Sequence, residues 1–257
     1  MLNQITHGAP TAARPLLIVH GLYGSARNWG VIAKRLSDAR QVVAVDQRNH
    51  GASPRTESHS YPDMAADLAE VIEAHGAPMH VMGHSMGGKA AMVLALTRPE
   101  LIASLTVADI APVAYGHSQL KYAEAMRGID LSGIERRSDA QALLEPVIDD
   151  PALVPFFLQS VDVKSKSWVL NLDTLAREMP KIMEFPEMSG SFAGPTLFLT
   201  GAASDYVSRE DRPRITALFP QARFVKIPEA GHWLHADKPR EFEAAMRAWL
   251  DRQDKAG

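Results

Sequence analysis

"HVMGHSMGGKAAMVLAL" (residues 80–96) decides how the rest of the chain is read. Small and apolar residues lead into Gly83, His84, Ser85, Met86 and Gly87, and an Ala-rich apolar run follows. The five central residues match G-x-S-x-G. A strand pattern precedes them and a helix pattern follows, the setting in which this motif makes a sharp strand-to-helix turn. Such a turn forces the serine into a strained backbone conformation with positive φ and lifts its hydroxyl out of the sheet. The helix start behind it offers unpaired N–H groups and a positive dipole end to developing negative charge. A glycine-lined turn without chemistry has the same five residues, so the remaining sequence must discriminate.

Short apolar runs recur on both sides of this stretch: "PLLIVHG" (15–21), "QVVAVDQ" (41–47), "LTVADIA" (105–111), "PTLFLTG" (195–201) and "ARFVKIP" (222–228). With "MHVMGHS" (79–85), they predict strands apolar on both faces, as in a parallel sheet covered by helices on each side. Between them, Met64, Leu68, Val71 and Ile72 fall at helical spacing ahead of Gly76, and Phe242, Ala245, Met246, Trp249 and Leu250 repeat that spacing. Alternating strands and helices predict an α/β fold with a mostly parallel central sheet. The alternation lapses between about Pro112 and Gly194, a stretch too long for a loop in a compact domain and without a clear strand. It predicts a helical lid insertion over 113–193, with 1–112 and 194–257 forming the core.

The chain has 257 residues, 46% of them hydrophobic, enough to bury one core with an insertion. Its net charge of −3 gives no basic footprint for nucleic acid or an anionic membrane. With no cysteine, disulfides, thiolate metal sites and Cys nucleophiles are excluded. The start, "MLNQITHGAP", has no apolar signal-peptide core. The longest unbroken apolar run, 90–96, falls far short of the roughly 18 residues of a membrane span. These features predict a cytoplasmic protein with a small-molecule partner.

A serine nucleophile needs a base, usually a histidine oriented by a carboxylate. Of the ten histidines, His7 and His59 read as exposed, His75 ends a helix and His80 begins a strand. His232, in "PEAGHWLHADKP", follows the last strand pattern, where an α/β site is expected, and Gly231 gives it a turn. His235, three residues on, reads as a packing or entrance residue. Two carboxylates end core strands after Ser85: Asp109 in "TVADIAP" and Asp205 in "TGAASDYV". Asp46 precedes the nucleophile in chain order, and Asp173 lies in the insertion as a cap or surface group. An oxyanion hole needs two backbone donors. The Met86 N–H follows the nucleophile, and "VHGLYGS" after the first core strand offers His20, Gly21 and the Leu22 N–H.

Together, "LLIVHGLYGS", "VVAVDQRNHGASP", "VMGHSMGGKAAM", "TVADIAPV" and "IPEAGHWLHADKP" resemble the α/β-hydrolase superfamily, and look most like the small YbfF-type esterases and related abhydrolase-domain proteins. The resemblance runs over nearly the whole chain and is weakest over 116–190. It implies Ser85 as nucleophile, His232 as base, and the Leu22 and Met86 N–H groups as oxyanion donors. Many members place the acid three residues after the glycine of "LFLTG", where Ser204 stands here, with Asp205 one residue late. The YbfF-like subgroup takes it from the preceding strand end, which implies Asp109. The implied activity is a cofactor-free, metal-free serine hydrolase of short to medium carboxylic esters or thioesters, acyl-CoA included. Other triad chemistries are C–C bond hydrolysis, lactone hydrolysis, a lyase reaction and cofactor-free haloperoxidation. Dehalogenase and epoxide-hydrolase chemistry use Asp where this chain has Ser85. A non-catalytic receptor on the same scaffold is the reading from another class. Leu22, Met86, Tyr115, Trp233, Phe156, Phe157 and Trp168 are candidates for an apolar pocket. Lys89, in the same signature, opposes the helix dipole and is expected to snorkel or to pair with a carboxylate.

Overall fold

The computed structural model describes residues 1–76 and 78–255. The strands in chain order are β1 (Gln4–His7), β2 (Leu16–Val19), β3 (Val42–Val45), β4 (Met79–His84), β5 (Ile102–Ala108), β6 (Val161–Asp162), β7 (Ser167–Trp168), β8 (Thr196–Gly201) and β9 (Ala222–Ile227). Seven form one sheet in the order β1-β3-β2-β4-β5-β8-β9, all parallel except β1, which pairs antiparallel with β3. The helices are α1 (Gly30–Leu36), α2 (Tyr61–Ala74), α3 (Met86–Thr97), α4 (Leu120–Arg127), α5 (Arg137–Leu144), α6 (Val154–Leu158), α7 (Leu172–Met183), α8 (Arg212–Leu218), α9 (Leu234–Asp237) and α10 (Pro239–Asp254). Among the described residues no helix is long and apolar enough to cross a membrane.

The central strands are buried on both faces because successive side chains alternate between two cores. Leu17 and Val19 of β2 join Val43, Val81 and Val107 under α2 and α3, whereas Leu16 and Ile18 join Val42, Met82 and Leu199 under α1 and α10. β1 is absent from the expected strands. It is a short, half-exposed edge strand, and a polar edge carries no apolar run to read. Between β5 and β8 the chain leaves the sheet for α4 to α7 and a small hairpin of β6 and β7. Strands of two residues leave no periodicity, which is why this segment reads as free of strands.

Several contacts fix the strand ends that face the site. At the turn from β4 into α3, the backbone of Gly87 presses against the end of β2: a Cβ added there would lie 2.4 Å from the His20 carbonyl oxygen and 2.5 Å from that of Val19. His20 is fully buried. Its Nε2 accepts the Gln47 N–H at 2.9 Å, so its Nδ1–H donates to the Gly21 carbonyl at 2.7 Å. His50 repeats this logic: Nε2 accepts the Tyr23 N–H at 3.1 Å while Nδ1–H donates to the Arg48 carbonyl at 2.9 Å. Only neutral imidazoles can both accept and donate in this way. Burial accordingly holds His20, His50, His59, His84 and His235 below the ordinary histidine range, His59 and His235 down to about 3. His59 is completely buried, not exposed; its Nε2 lies 3.3 Å from the Met86 sulfur.

Two outcomes are expected. Gly87→Ala should destabilise the fold by about 1–3 kcal/mol, the usual cost of forced overpacking, measured by urea unfolding. A value near zero would mean that α3 shifts freely. Acid should weaken the protein in a window set by the histidines. Their folded pKa values lie below the unfolded value of about 6.5, so the unfolded chain binds more protons as the pH falls below that point. Their contribution is complete above about pH 6.5, and each histidine loses about 1.4 kcal/mol per pH unit on descending toward its folded value. Equal unfolding midpoints at about pH 7.5 and pH 5 would contradict this.

Candidate active site

Ser85 occupies the junction between β4 and α3 with φ 52° and ψ −123°. A non-glycine residue there carries strain of about 1–3 kcal/mol, held in place by its surroundings. The Ser85 N–H donates to the Ala108 carbonyl at 3.0 Å, tying the turn to the end of β5. One residue further along β5, Asp109 also has positive φ, 52°, and its side chain is fully buried. Its N–H extends the ladder to the Leu199 carbonyl at 3.0 Å, which brings its carboxylate over the end of β8. There Oδ1 accepts the Gly201 N–H at 3.0 Å, and Oδ2 accepts the Ser204 hydroxyl and lies 2.9 Å from His232 Nδ1.

His232 comes from the loop between β9 and α9, and its side chain is 14% exposed. Tyr206 stacks on its ring, with centroids 3.8 Å apart and planes 18° off parallel. The Tyr206 carbonyl accepts from the Tyr115 hydroxyl, which itself accepts the Ala111 N–H, joining the support of His232 to the loop after Asp109. His84, beside the serine, is buried. Its Nε2 lies 2.8 Å from the His232 carbonyl and serves as its donor. His235 does not approach Asp109; it stacks on Trp29 at 3.8 Å. Asp205 is exposed and makes no side-chain hydrogen bond to His232 among the described residues. Asp46 accepts N–H groups from Ala26 and Ala52 and an amide from Asn3, pinning loops at the far side of β3, and Asp173 pairs with Arg127 on the surface.

The loop after β2 closes over the serine. A Cβ added to Gly21 would lie 3.2 Å from the Ser85 Cβ, so Leu22 follows directly beside the hydroxyl-bearing turn. Neither the Leu22 nor the Met86 N–H donates to another group among the described residues. As the first residue of α3, Met86 carries one of the donors that a helix start leaves unpaired. Ser85, His232, Leu22 and Met86 all line a cavity of about 800 Å³. The insertion contributes Tyr122, Phe156, Phe157 and Met183 to the same cavity, with Tyr115 and Trp233. Trp168 does not reach it. It lies in β7 and belongs to the same core cluster as Leu17, Val43 and Val81 of the sheet. Among the described residues, no group of three or more His, Asp or Glu side chains is gathered to hold a metal ion.

Sequence reasoning missed Ser204, His84 and Tyr206 as parts of this site. Ser204 was legible as the residue three past Gly201, and His84 as the variable residue of the serine motif. Nothing in the pattern points to Tyr206, whose stacking arises only when the loop after β8 folds over His232.

Residues 16–245 match the Alpha/beta hydrolase family. A relative from Mus musculus, named sn-1-specific diacylglycerol lipase ABHD11, is 40% identical over 246 residues, covering 91% of this chain and 80% of its own. Esterase YbfF of Escherichia coli is 37% identical over 242 residues, covering 92% of this chain and 93% of its own. A solved structure described as a marine microorganism esterase superposes with a TM-score of 0.91 at 38% identity, over 96% of this chain and 98% of that one. The strained serine turn, the buried carboxylate facing His232 and these likenesses converge: the chain belongs to the alpha/beta hydrolase family.

Proposed function

We propose that this carboxylic ester hydrolase works through an acyl-enzyme on Ser85. The observation that carries the reading is the contact between the buried Asp109 carboxylate and His232 Nδ1, 2.9 Å, in the cavity that Ser85 lines. With Nδ1–H held by Asp109, His232 presents Nε2 as the base. Nε2 removes the Ser85 proton as Oγ attacks the acyl carbon. The Leu22 and Met86 N–H groups receive the oxyanion, and the imidazolium returns the proton to the departing alkoxide or thiolate. Water, deprotonated by the same Nε2, then releases the acid and restores Ser85. Each oxyanion donor is worth on the order of 3 kcal/mol in the transition state.

The aromatic and aliphatic lining supports short to medium acyl esters or thioesters as substrates, and the cavity volume suits a small molecule. The segment 113–193 acts as a lid in this reading, since its side chains form much of the lining around the serine. The net charge of −3 favours neither nucleic acid nor an anionic surface as partner, and the reading places the enzyme in the cytoplasm. Diacylglycerol hydrolysis, named for the mouse relative, belongs to the range of ester substrates to be tried.

Ser85→Ala should abolish p-nitrophenyl acetate hydrolysis and labelling by a fluorophosphonate. Activity near wild type would move the nucleophile elsewhere, and an unlabelled, inactive wild type would favour a receptor. For the acid, Asp109→Asn should lower kcat by about 10³–10⁴-fold, because the carboxylate fixes the productive imidazole tautomer. Asp205→Asn should change kcat less than about twofold, since exposed groups away from the reacting atoms contribute little. The reverse order of losses would transfer the role to Asp205.

A further inference from the structure

Lys89 is a cation in an unusual place. It lies in the first turn of α3, where the helix dipole opposes positive charge, and only 1% of the residue is exposed. It stands four residues after Ser85, on the same helix face and about 6 Å further along the axis. Helical side chains lean toward the N-terminus, so the lysine points back toward the serine's end. Both residues line the same cavity.

The ammonium is only partly compensated. It donates to the carbonyls of Met183 at 3.0 Å and Glu184 at 2.6 Å, at the end of α7. An ammonium has three donors. The third has no acceptor among the described residues, and it faces the rings of Tyr115 and Tyr61, whose centroids lie 4.8 and 5.6 Å from Nζ. No carboxylate forms an ion pair with it among the described residues; the Glu184 side chain acts on it only at a distance and is exposed. Burial therefore pushes the lysine down to about 7. The other titratable groups facing it, the Tyr61 and Tyr115 phenols, are pushed up by burial and stay neutral. A buried cation whose third donor meets only aromatic rings, at the wall of a substrate cavity, is matched by an anion that arrives with the substrate.

We propose that Lys89 receives a free carboxylate on the acyl group, so that the preferred substrates are half-esters of short dicarboxylic acids, with the second carboxylate a few carbons beyond the scissile carbonyl. The proposal rests on ester hydrolysis through Ser85. The two backbone contacts orient the ammonium, and the ligand carboxylate takes the third N–H from the tyrosine rings that cover it in the free enzyme. A bound carboxylate stabilises the charged lysine, so binding favours the protonated form. The attraction is present below the lysine's free pKa and fades as the pH rises above it.

The test compares monoethyl esters of succinic, glutaric and adipic acid with ethyl esters of the unbranched monocarboxylic acids of equal carbon number. Hydrolysis is followed by base uptake at about pH 6.5 and about pH 8.5. Both series use Ser85 and His232, so their shared titrations cancel in the ratio of kcat/KM. At the lower pH the best half-ester should lead its neutral partner by about tenfold or more, and the lead should shrink at the higher pH. In Lys89→Met, which keeps the chain's volume, the lead should disappear. A neutral series hydrolysed as fast as or faster than the half-esters overturns the proposal and leaves the serine reading intact. So does a lead that persists in Lys89→Met. If that variant does not fold, the wild-type ratio at the lower pH decides: a best half-ester that does not lead its neutral partner overturns the proposal. Failure to hydrolyse either series overturns the serine reading, and the proposal with it.

Discussion

Helix α3 begins directly after β4, and it can do so only because Gly87 lets its backbone press against the end of β2. The positive φ of Ser85, the start of α3 at Met86 and the loop that carries Leu22 all meet at this contact. A larger residue at 87 would push the helix away from the sheet and separate these groups at once. The site therefore depends first on a backbone contact and only then on reactive side chains. This order explains why the strain at Ser85 persists: the parallel strands on either side and the buried helix leave the turn no relaxed alternative.

The loops around the serine are held by histidines that perform no proton transfer. His20 and His50 each accept one backbone N–H and donate to one carbonyl, and His84 reaches the carbonyl of His232. The paired accepting and donating at His20 and His50 requires neutral rings, and burial holds all three below the ordinary histidine range. His232 differs because it is partly open to the cavity and has a carboxylate behind it. One residue type is thus a sealed scaffold at His20, His50 and His84, and at His232 a ring that opens on the cavity with a carboxylate behind it.

The sheet was largely legible because its central strands are buried on both faces and read as continuous apolar runs. The exceptions have physical causes. β1 lies at a wet edge, and β6 and β7 are too short to have a period. At the site, Ser85 is singled out by its motif, and Asp109, Asp205 and His232 by their places at strand ends; of the two aspartates, Asp109 lies 2.9 Å from His232 Nδ1. The choice between Asp109 and Asp205 turns on backbone geometry: the positive φ at Asp109 brings its carboxylate over β8, and no residue pattern encodes that turn. His59 misled because a polar neighbourhood in sequence, "RTESHSY", folds into a sealed contact with Met86. Lys89 reads in sequence as a residue that snorkels or pairs with a carboxylate; it is buried instead, and its ammonium donates to two carbonyls.

The insertion leaves and rejoins the core through a cross-tied root. The Tyr115 N–H, just after the chain exits β5, donates to the Met183 carbonyl at 3.0 Å, just before it returns. Lys89 holds that same carbonyl from α3. The two ends of the segment are thus buckled together outside the sheet. A change in the helices between the two ends would reshape the chamber they line and leave the tied root in place.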